Sequence, residues 1–265
     1  MKLTTASHGR RCFVLSRQFF LDYFFFFWPS SLFSFSGVIM TDSPKSFDYT
    51  NAIYALCKSV CSVVCEFRTI DCDRVGFSFR VARNRQSGYG CWACVLPLRF
   101  ENGSIVTYRD RRCYTLDERG SRVIATQRRY FKTRRVVGPN GQELLYIFSI
   151  MSPRFLNLSI REKIDTIMHE LYHISPAFNG DVRRFPGRNW QHGNKKEYDA
   201  KAAAFSEIWL ASEPDPRLYD FLNYNALELR QKYGRVVGNR YSVGALIPIT
   251  EQEAFRLDHR LAGRK

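Results

Sequence analysis

The sequence predicts an α+β protein with an N-terminal helix, a small and mostly antiparallel sheet, and two later helices. Three observations support this class. Apolar residues recur at helical spacing between Phe47 and Phe67, short apolar segments separated by turn residues follow, and two amphipathic segments come after residue 158. With 265 residues, 45% of them hydrophobic and 25% charged, the chain has the composition of a globular protein that buries a proper core.

The chain begins with a Phe-rich leader, residues 1–39, whose apolar stretch at residues 18–39 follows a basic flank. That order is typical of a signal or anchor segment. However, Asp22 and Pro29 interrupt the stretch, and Met40 opens a segment that resembles an ordinary start of a cytosolic domain. We therefore expect an over-extended start and a cytoplasmic protein, with a membrane anchor through residues 18–39 as the alternative.

After the leader we expect one domain at residues 40–213 and a basic extension at residues 214–265, which follows Pro214. The first helix is predicted over Phe47–Phe67 from its apolar positions. Three cysteines recur there every four residues, which predicts a buried seam formed by Cys57, Cys61 and Cys65.

Four segments with strand character follow the first helix, at Val75–Val81, Cys91–Phe100, Ser104–Tyr108 and Glu143–Ile150. The dipeptide Asn102-Gly103 predicts a hairpin between the second and third of them. The arginine-rich segment Asp110–Arg135 is predicted as a solvated strand-loop excursion, and an exposed basic loop is favoured over a dedicated binding element.

Eight cysteines are present, and their spacing does not repeat as in a disulfide-rich scaffold. Cys91 and Cys94 form the one CxxC pair, a spacing that can indicate metal or redox chemistry. In a strand, positions three apart point to opposite faces, so we expect these two sulfurs not to meet. A packing role in a reducing compartment is the prediction.

A capped amphipathic helix begins after Ser159, because Ser159 and Glu162 fit a capping box and an apolar stripe follows them. The stripe consists of Ile160, Ile164, Ile167, Met168, Leu171 and Ile174, and Pro176 ends the helix. A second helix is predicted at Lys195–Ala211, with an apolar face formed by Tyr198, Ala202, Phe205, Ile208 and Trp209. A short third helix and a strand-capable tail come after it.

The first of these two helices carries the motif HExxH, as His169, Glu170 and His173. Four residues advance a helix by about 400°, so both imidazoles project from one face, where they can take two corners of a tetrahedral zinc ion. Glu170 projects about 100° away and can reach a water that the metal activates. The predicted chemistry is attack of that water on a carbonyl, with Glu170 as general base.

A third ligand is needed, and His192 is our prediction because a glycine-rich loop of eighteen residues can return it to the metal. Glu197 and Asp199 are the competing candidates, and Asp199 could instead orient a ligand histidine. Tyr172 and Tyr198 are possible oxyanion donors, although packing is favoured for both.

The chain resembles the phage metallopeptidase family in four runs, which are His169–Asp181, Arg183–Arg188, Gln191-His192 and Lys196–Asp199. More distantly, HExxH followed by a later His-Gly is similar to SprT-type zincin peptidases, which are linked to nucleic-acid-bound substrates. The resemblance extends from Phe47 to about Ser212. It implies a zincin-like fold, a Zn²⁺ cofactor, His169, His173 and His192 as its ligands, Glu170 as base, and a protein or peptide substrate. For such a substrate, Glu143–Ile150 is the predicted edge strand.

The formal net charge of +15 suggests a second kind of function. About +12 remains without the leader, so the basic character belongs to the domain. Such a surface attracts polyanions, nucleic acid among them. The alternative hypothesis is therefore a nucleic-acid-associated protein whose zinc site is structural, or a protease that acts on DNA-bound proteins.

Overall fold

The computed structural model describes residues 46–81, 91–187 and 190–261, which form an α+β fold as predicted. The described helices are α1 Tyr49–Val63, α2 Ile160–Tyr172, α3 Lys195–Ala211, α4 Ala226–Tyr233 and α5 Glu251–Leu257. The described strands are β1 Ser46–Asp48, β2 Val75–Val81, β3 Ala93–Pro97, β4 Val106–Leu116, β5 Arg122–Lys132, β6 Tyr146–Ser152, β7 Arg235–Val237 and β8 Ile247–Ile249. The predicted leader, residues 1–39, lies outside the described residues.

The strands form three small sheets, in the orders β1-β7, β2-β6-β3 and β4-β5-β8. The prediction of a mostly antiparallel sheet is correct for β4-β5-β8, whereas β2-β6-β3 is mixed because β2 runs parallel and β3 antiparallel to β6. The prediction that Glu143–Ile150 is an edge strand is wrong. That segment forms β6, the central strand, and its residues Tyr146–Ile150 are all buried, as expected for a strand covered on both faces. The edge next to the candidate site is β3.

The predicted turn at Asn102-Gly103 forms, but it does not close a hairpin. Both residues have positive φ, 56° and 77°, and the N–H of Phe100 donates to the carbonyl of Ser104 at 2.7 Å. The turn joins β3 to β4, which pair with β6 and β5 respectively and so belong to different sheets. The dipeptide predicted the local geometry, and long-range pairing decided the partners.

The arginine-rich segment contains strands, as one form of the prediction had it, and the favoured exposed loop is wrong because the strands pair in a long β-hairpin. We call it the arm, residues Val106–Lys132, and it pairs eleven residues of β4 with eleven of β5. The Asp117 carboxylate forms its turn by accepting the N–H groups of Arg119 and Ser121 at 3.0 and 2.7 Å. At the base of the arm, residues 130–132 also pair with β8.

The two helices that flank the main core begin at side-chain caps, and α1 is shorter than the predicted Phe47–Phe67. The Asp48 carboxylate accepts the N–H groups of Thr50 and Asn51 at the start of α1, and Ser159 and Glu162 form the expected capping box of α2. The cysteine seam is correct for Cys57 and Cys61, which are buried, and wrong for Cys65, which is exposed because α1 ends at Val63.

Helix α3 has the predicted bounds, and its apolar face is narrower than expected. Tyr198, Ala202 and Trp209 are buried, whereas Ile208 is half exposed. The helix packs against α2, so side chains between the two helices are contacted from both sides.

The prediction that residues 214–265 form a separate C-terminal extension is wrong for the described part of this segment. That part is packed into the main core. Phe221, Leu222 and Leu229 are buried in the same apolar cluster as α1 and α2. The ammonium of Lys163 on α2, itself buried, donates to the carbonyls of Leu222 and Tyr224 at 2.7 and 2.9 Å. Strand β7 also pairs with β1. The basic composition of this segment obscured its few core residues.

A helix that crosses a membrane must be long and apolar. Within residues 46–81, 91–187 and 190–261, none of the helices has the length and apolar character that crossing a membrane requires.

Candidate metal centre

Two histidines lie at the C-terminal end of α2. His169 is in the last turn of the helix, and His173 is the residue that caps it. Their ring centroids are 5.0 Å apart, as the one-turn spacing of HExxH requires for two side chains on one face. The helix ends at Tyr172, four residues before Pro176, and the chain after it turns back to the site.

His192 completes a group of three imidazoles. The returning loop is held to the end of α2, because the N–H of Arg183 donates to the carbonyl of His173 at 2.7 Å and Ile174 forms a β-bridge with Val182. The ring of His192 lies 5.4 Å from that of His169 and 4.7 Å from that of His173. Each histidine offers one ring nitrogen within 4.8 Å of the others, a group that could hold a metal ion.

The competing carboxylates do not join this group. Glu197 is exposed and accepts a hydrogen bond from the side chain of Asn194 at 2.7 Å. Asp199 lies behind His169, with its Oδ1 3.2 Å from Nδ1 of the imidazole, and it also pairs with Lys195. An imidazole that donates from Nδ1 to a carboxylate presents Nε2 as the free lone pair, so Asp199 orients His169 instead of binding a metal itself.

Tyr198 and Tyr172 pack against the site. The ring of Tyr198 lies between 4.7 and 5.1 Å from all three imidazoles, and its hydroxyl donates to the backbone carbonyl of His169 at 3.1 Å. Tyr172 is buried, with Arg183 stacked 4.2 Å over its ring. The Tyr198 hydroxyl is thus used to fix the backbone of α2, which favours packing over the oxyanion role for this residue.

The three histidines are neutral at physiological pH. Burial lowers the pKa of His169 to about 4, with the neighbouring His192 acting in the same direction. Burial likewise lowers the pKa of His173 well below its usual value and that of His192 to a lesser degree. Neutral imidazoles are the form that binds metal, so the nitrogens are available without loss of a proton.

Glu170 lies buried between α2 and the edge strand β3. Its Oε2 accepts the backbone N–H of Val95 at 3.0 Å. Burial raises the pKa of Glu170 to about 8, although the hydrogen bond from Val95 lowers it. The carboxyl does not belong to the metal-binding group of three histidines, as expected for a base rather than a ligand. No sequence pattern indicates this contact, because the donor is a backbone amide.

The prediction that Cys91 and Cys94 would not meet is wrong. Their thiols share a hydrogen bond, which lowers the pKa of Cys91 to about 6 and raises that of Cys94. The physical reason is that β3 begins at Ala93, so Cys91 precedes the strand and is free of its alternation. Cys94 directly precedes Val95, whose N–H donates to Glu170, so the pair lies close to the glutamate.

The donor set fits a zinc ion. Zinc accepts three neutral imidazole nitrogens and leaves a fourth position of its tetrahedron for water or substrate, and a carboxylate behind one ligand is the usual support. Three histidines that share one small space, with Asp199 behind one of them, meet these requirements. Comparison of the chain with protein families, with curated proteins and with solved structures finds no match to any of them. The resemblance to the phage metallopeptidase family therefore stays a prediction, and the site itself carries the functional argument.

Proposed function

We propose that this protein is a zinc-dependent peptidase in which His169, His173 and His192 bind the metal and Glu170 is the general base. The observation that carries the proposal is the convergence of three neutral imidazoles, each with a nitrogen within 4.8 Å of the others, at the end of the helix that also carries a buried glutamate. Buried carboxylates with raised pKa beside such groups are typical of active sites. We further propose zinc as the metal and the zincin class as the finer fold.

The chemistry that zinc supplies when bound is that of a Lewis acid, which makes water acidic enough to attack a carbonyl near neutral pH. Asp199 keeps Nε2 of His169 available by holding its Nδ1 proton. Glu170 accepts the proton of the attacking water and returns it to the leaving amine. Its pKa of about 8 belongs to the metal-free protein, and positive charge placed beside it lowers that pKa toward the range of a base.

The edge strand β3 is the proposed docking element for an extended peptide, in place of β6. Among the described strands none pairs with the side of β3 that faces away from β6, and an extended peptide can add a strand there. The N–H of Val95 points to that side, where it holds Glu170. A peptide paired with this side of β3 would lie next to the Glu170 carboxylate, the proposed general base.

The experiment that tests the proposal is the variant Glu170→Gln, assayed with a denatured protein substrate and analysed for bound zinc. The side chain keeps its size and its acceptor for Val95, so the fold and the zinc content should match the wild type. Loss of the base should lower turnover by about 100-fold or more. Unchanged turnover in a fully zinc-loaded variant would overturn the assignment of Glu170.

A second candidate is a nucleic-acid-associated protein with a structural zinc site, and the basic arm favours it. The same assay separates the two candidates. A protein with a structural zinc site binds zinc but shows no proteolytic activity even as the wild type, so Glu170→Gln changes nothing. A protease that acts on DNA-bound proteins would satisfy both and would depend on Glu170 as well as on the arm.

A further inference from the structure

We infer that the arm, Val106–Lys132, binds double-stranded DNA. It contains seven arginines and one lysine against three acidic residues, so it holds five of the fifteen net positive charges of the chain. Its strands pair over eleven residues, about 37 Å at the usual rise per residue. The inference does not depend on the metal centre.

One face of the arm has charges that the fold does not neutralise. Arg109 and Arg129 lie directly opposite each other across the two strands, and Arg111 is the next position on the same face. All three are exposed, and none of them forms an ion pair with any residue in the described part of the chain. Like charges directly opposite each other destabilise a strand pair, so this cluster costs stability in the free protein.

The opposite face of the arm shows the contrasting arrangement. There Arg128 forms a two-pronged ion pair with Asp110, at 2.8 and 3.1 Å, and its guanidinium lies 4.1 Å over the ring of Tyr108. That face has an acidic partner, whereas the face with Arg109, Arg111 and Arg129 has none along the two strands. An external polyanion is the partner that such a face fits.

The free end of the arm carries large apolar side chains that are exposed to solvent. Tyr114, Leu116 and Ile124 are 71%, 69% and 67% exposed and lie on the face that also carries Asp110 and Arg128. The base, by contrast, is fixed, because Val106 and Tyr130 pack on Ala254 of α5 in a small buried cluster. Exposed apolar side chains of this kind can contact the methyl groups of thymine in the major groove, and Arg112 and Arg122 lie beside them on the same face.

Dimensions and composition favour duplex DNA among the polyanions. A two-stranded ribbon fits the major groove of B-form DNA, which is about 12 Å wide, whereas the major groove of duplex RNA is too narrow for it. The arm also uses arginine in place of lysine at seven of its eight basic positions, and the arginine fork matches phosphate oxygens in two-pronged contacts.

The test measures binding of a labelled 20-base-pair duplex to the purified full chain by fluorescence anisotropy, over a series of salt concentrations. The arm variant is Arg109→Gln with Arg111→Gln and Arg129→Gln. The control variant is Arg68→Gln with Lys201→Gln and Arg230→Gln, which removes the same charge from exposed positions elsewhere. We expect the arm variant to bind about tenfold or more weakly, with a salt dependence that is lower by about three released counterions. The control should bind within about twofold of the wild type.

Three outcomes would overturn the inference. The first is absence of duplex binding by the wild type at low salt, and the second is an equal loss in the arm and control variants. The third is tighter binding to single-stranded DNA or to phosphatidylserine vesicles than to the duplex. Thermal melting shows that the arm variant is folded, and relief of the repulsion between Arg109 and Arg129 should leave its melting temperature equal or raised.

Discussion

At the scale of single residues, the candidate site depends on side chains that do not themselves bind a metal. Asp199 holds Nδ1 of His169, and Tyr198 fixes the backbone of the same residue through its hydroxyl. Both lie in the first turn and a half of α3, next to the loop that brings His192 back. The histidines could be predicted because HExxH has a fixed geometry on a helix, whereas the choice of His192 over Glu197 depended on how the loop folds.

Replacement of Asp199 tests the role of this carboxylate. Asp199→Ala should weaken zinc binding by about 10- to 100-fold, because His169 then loses the acceptor that fixes its tautomer and orientation. Competition with a fluorescent zinc chelator measures the affinity. Glu197→Gln is the matched control, since Glu197 lies on the same turn of α3 outside the group of histidines, and it should leave the affinity unchanged. A larger loss in the Glu197 variant would make Glu197 the ligand.

At the scale of secondary-structure elements, local signals predicted the helices well and the strand pairing poorly. The capping box of Ser159 and Glu162 and the stripe behind it gave α2, because a helix is decided by residues within four positions of one another. Whether β6 is an edge or a central strand depends on β2 and β3, which lie far from it in sequence. The nearly continuous apolar run Leu144–Met151, which lacks the alternation of a strand exposed on one face, was the available signal for a central strand.

The edge position of β3 leads to a test of the contact between Val95 and Glu170. Val95→Pro removes an N–H that points to Glu170 and not to β6, so the ladder keeps its bonds, and edge strands tolerate proline. We expect bound zinc and the melting temperature to be retained and turnover to fall by about tenfold or more. In the control Leu98→Pro, the N–H that donates to Leu145 is lost, and the protein should be destabilised. Full turnover in the Val95 variant would show that Glu170 needs no support from β3.

At the scale of the whole molecule, a single hydrophobic core contains residues from the main domain and from the basic C-terminal segment, which their composition had suggested were separate. Phe221, Leu222 and Leu229 belong to the cluster that buries α1 and α2, although they lie in the basic C-terminal segment. Sequence reasoning separated this segment at residue 213 because a few apolar residues among charged ones show no clear periodicity. The long pairing of the arm was missed for a related reason, since its many arginines predict solvent exposure whether or not the backbone forms a sheet.

The buried histidines predict how the stability of the metal-free protein depends on pH. Their pKa values are lower in the folded chain, about 4 for His169, than the usual 6.5 of an unfolded chain. Between these values the unfolded state binds more protons, so the stabilising contribution is complete above pH 6.5 and is lost as the pH falls toward 4. Glu170 acts in the opposite direction because its pKa is raised, so the test uses the Glu170→Gln protein, whose urea midpoint should be lower at pH 5 than at pH 7. The decrease should be smaller when all three histidines are glutamine, and an equal decrease would contradict the burial of these side chains as neutral groups.

The central claim, a three-histidine zinc site, is tested most directly by the zinc content of the purified protein. Elemental analysis of the wild type should give one zinc per chain, and His192→Ala should give a small fraction of that. His259→Ala is the matched control, because His259 follows α5 and lies outside the group of three, and it should keep one zinc per chain. A wild type without zinc, or a His192 variant that retains one zinc per chain, would contradict the account.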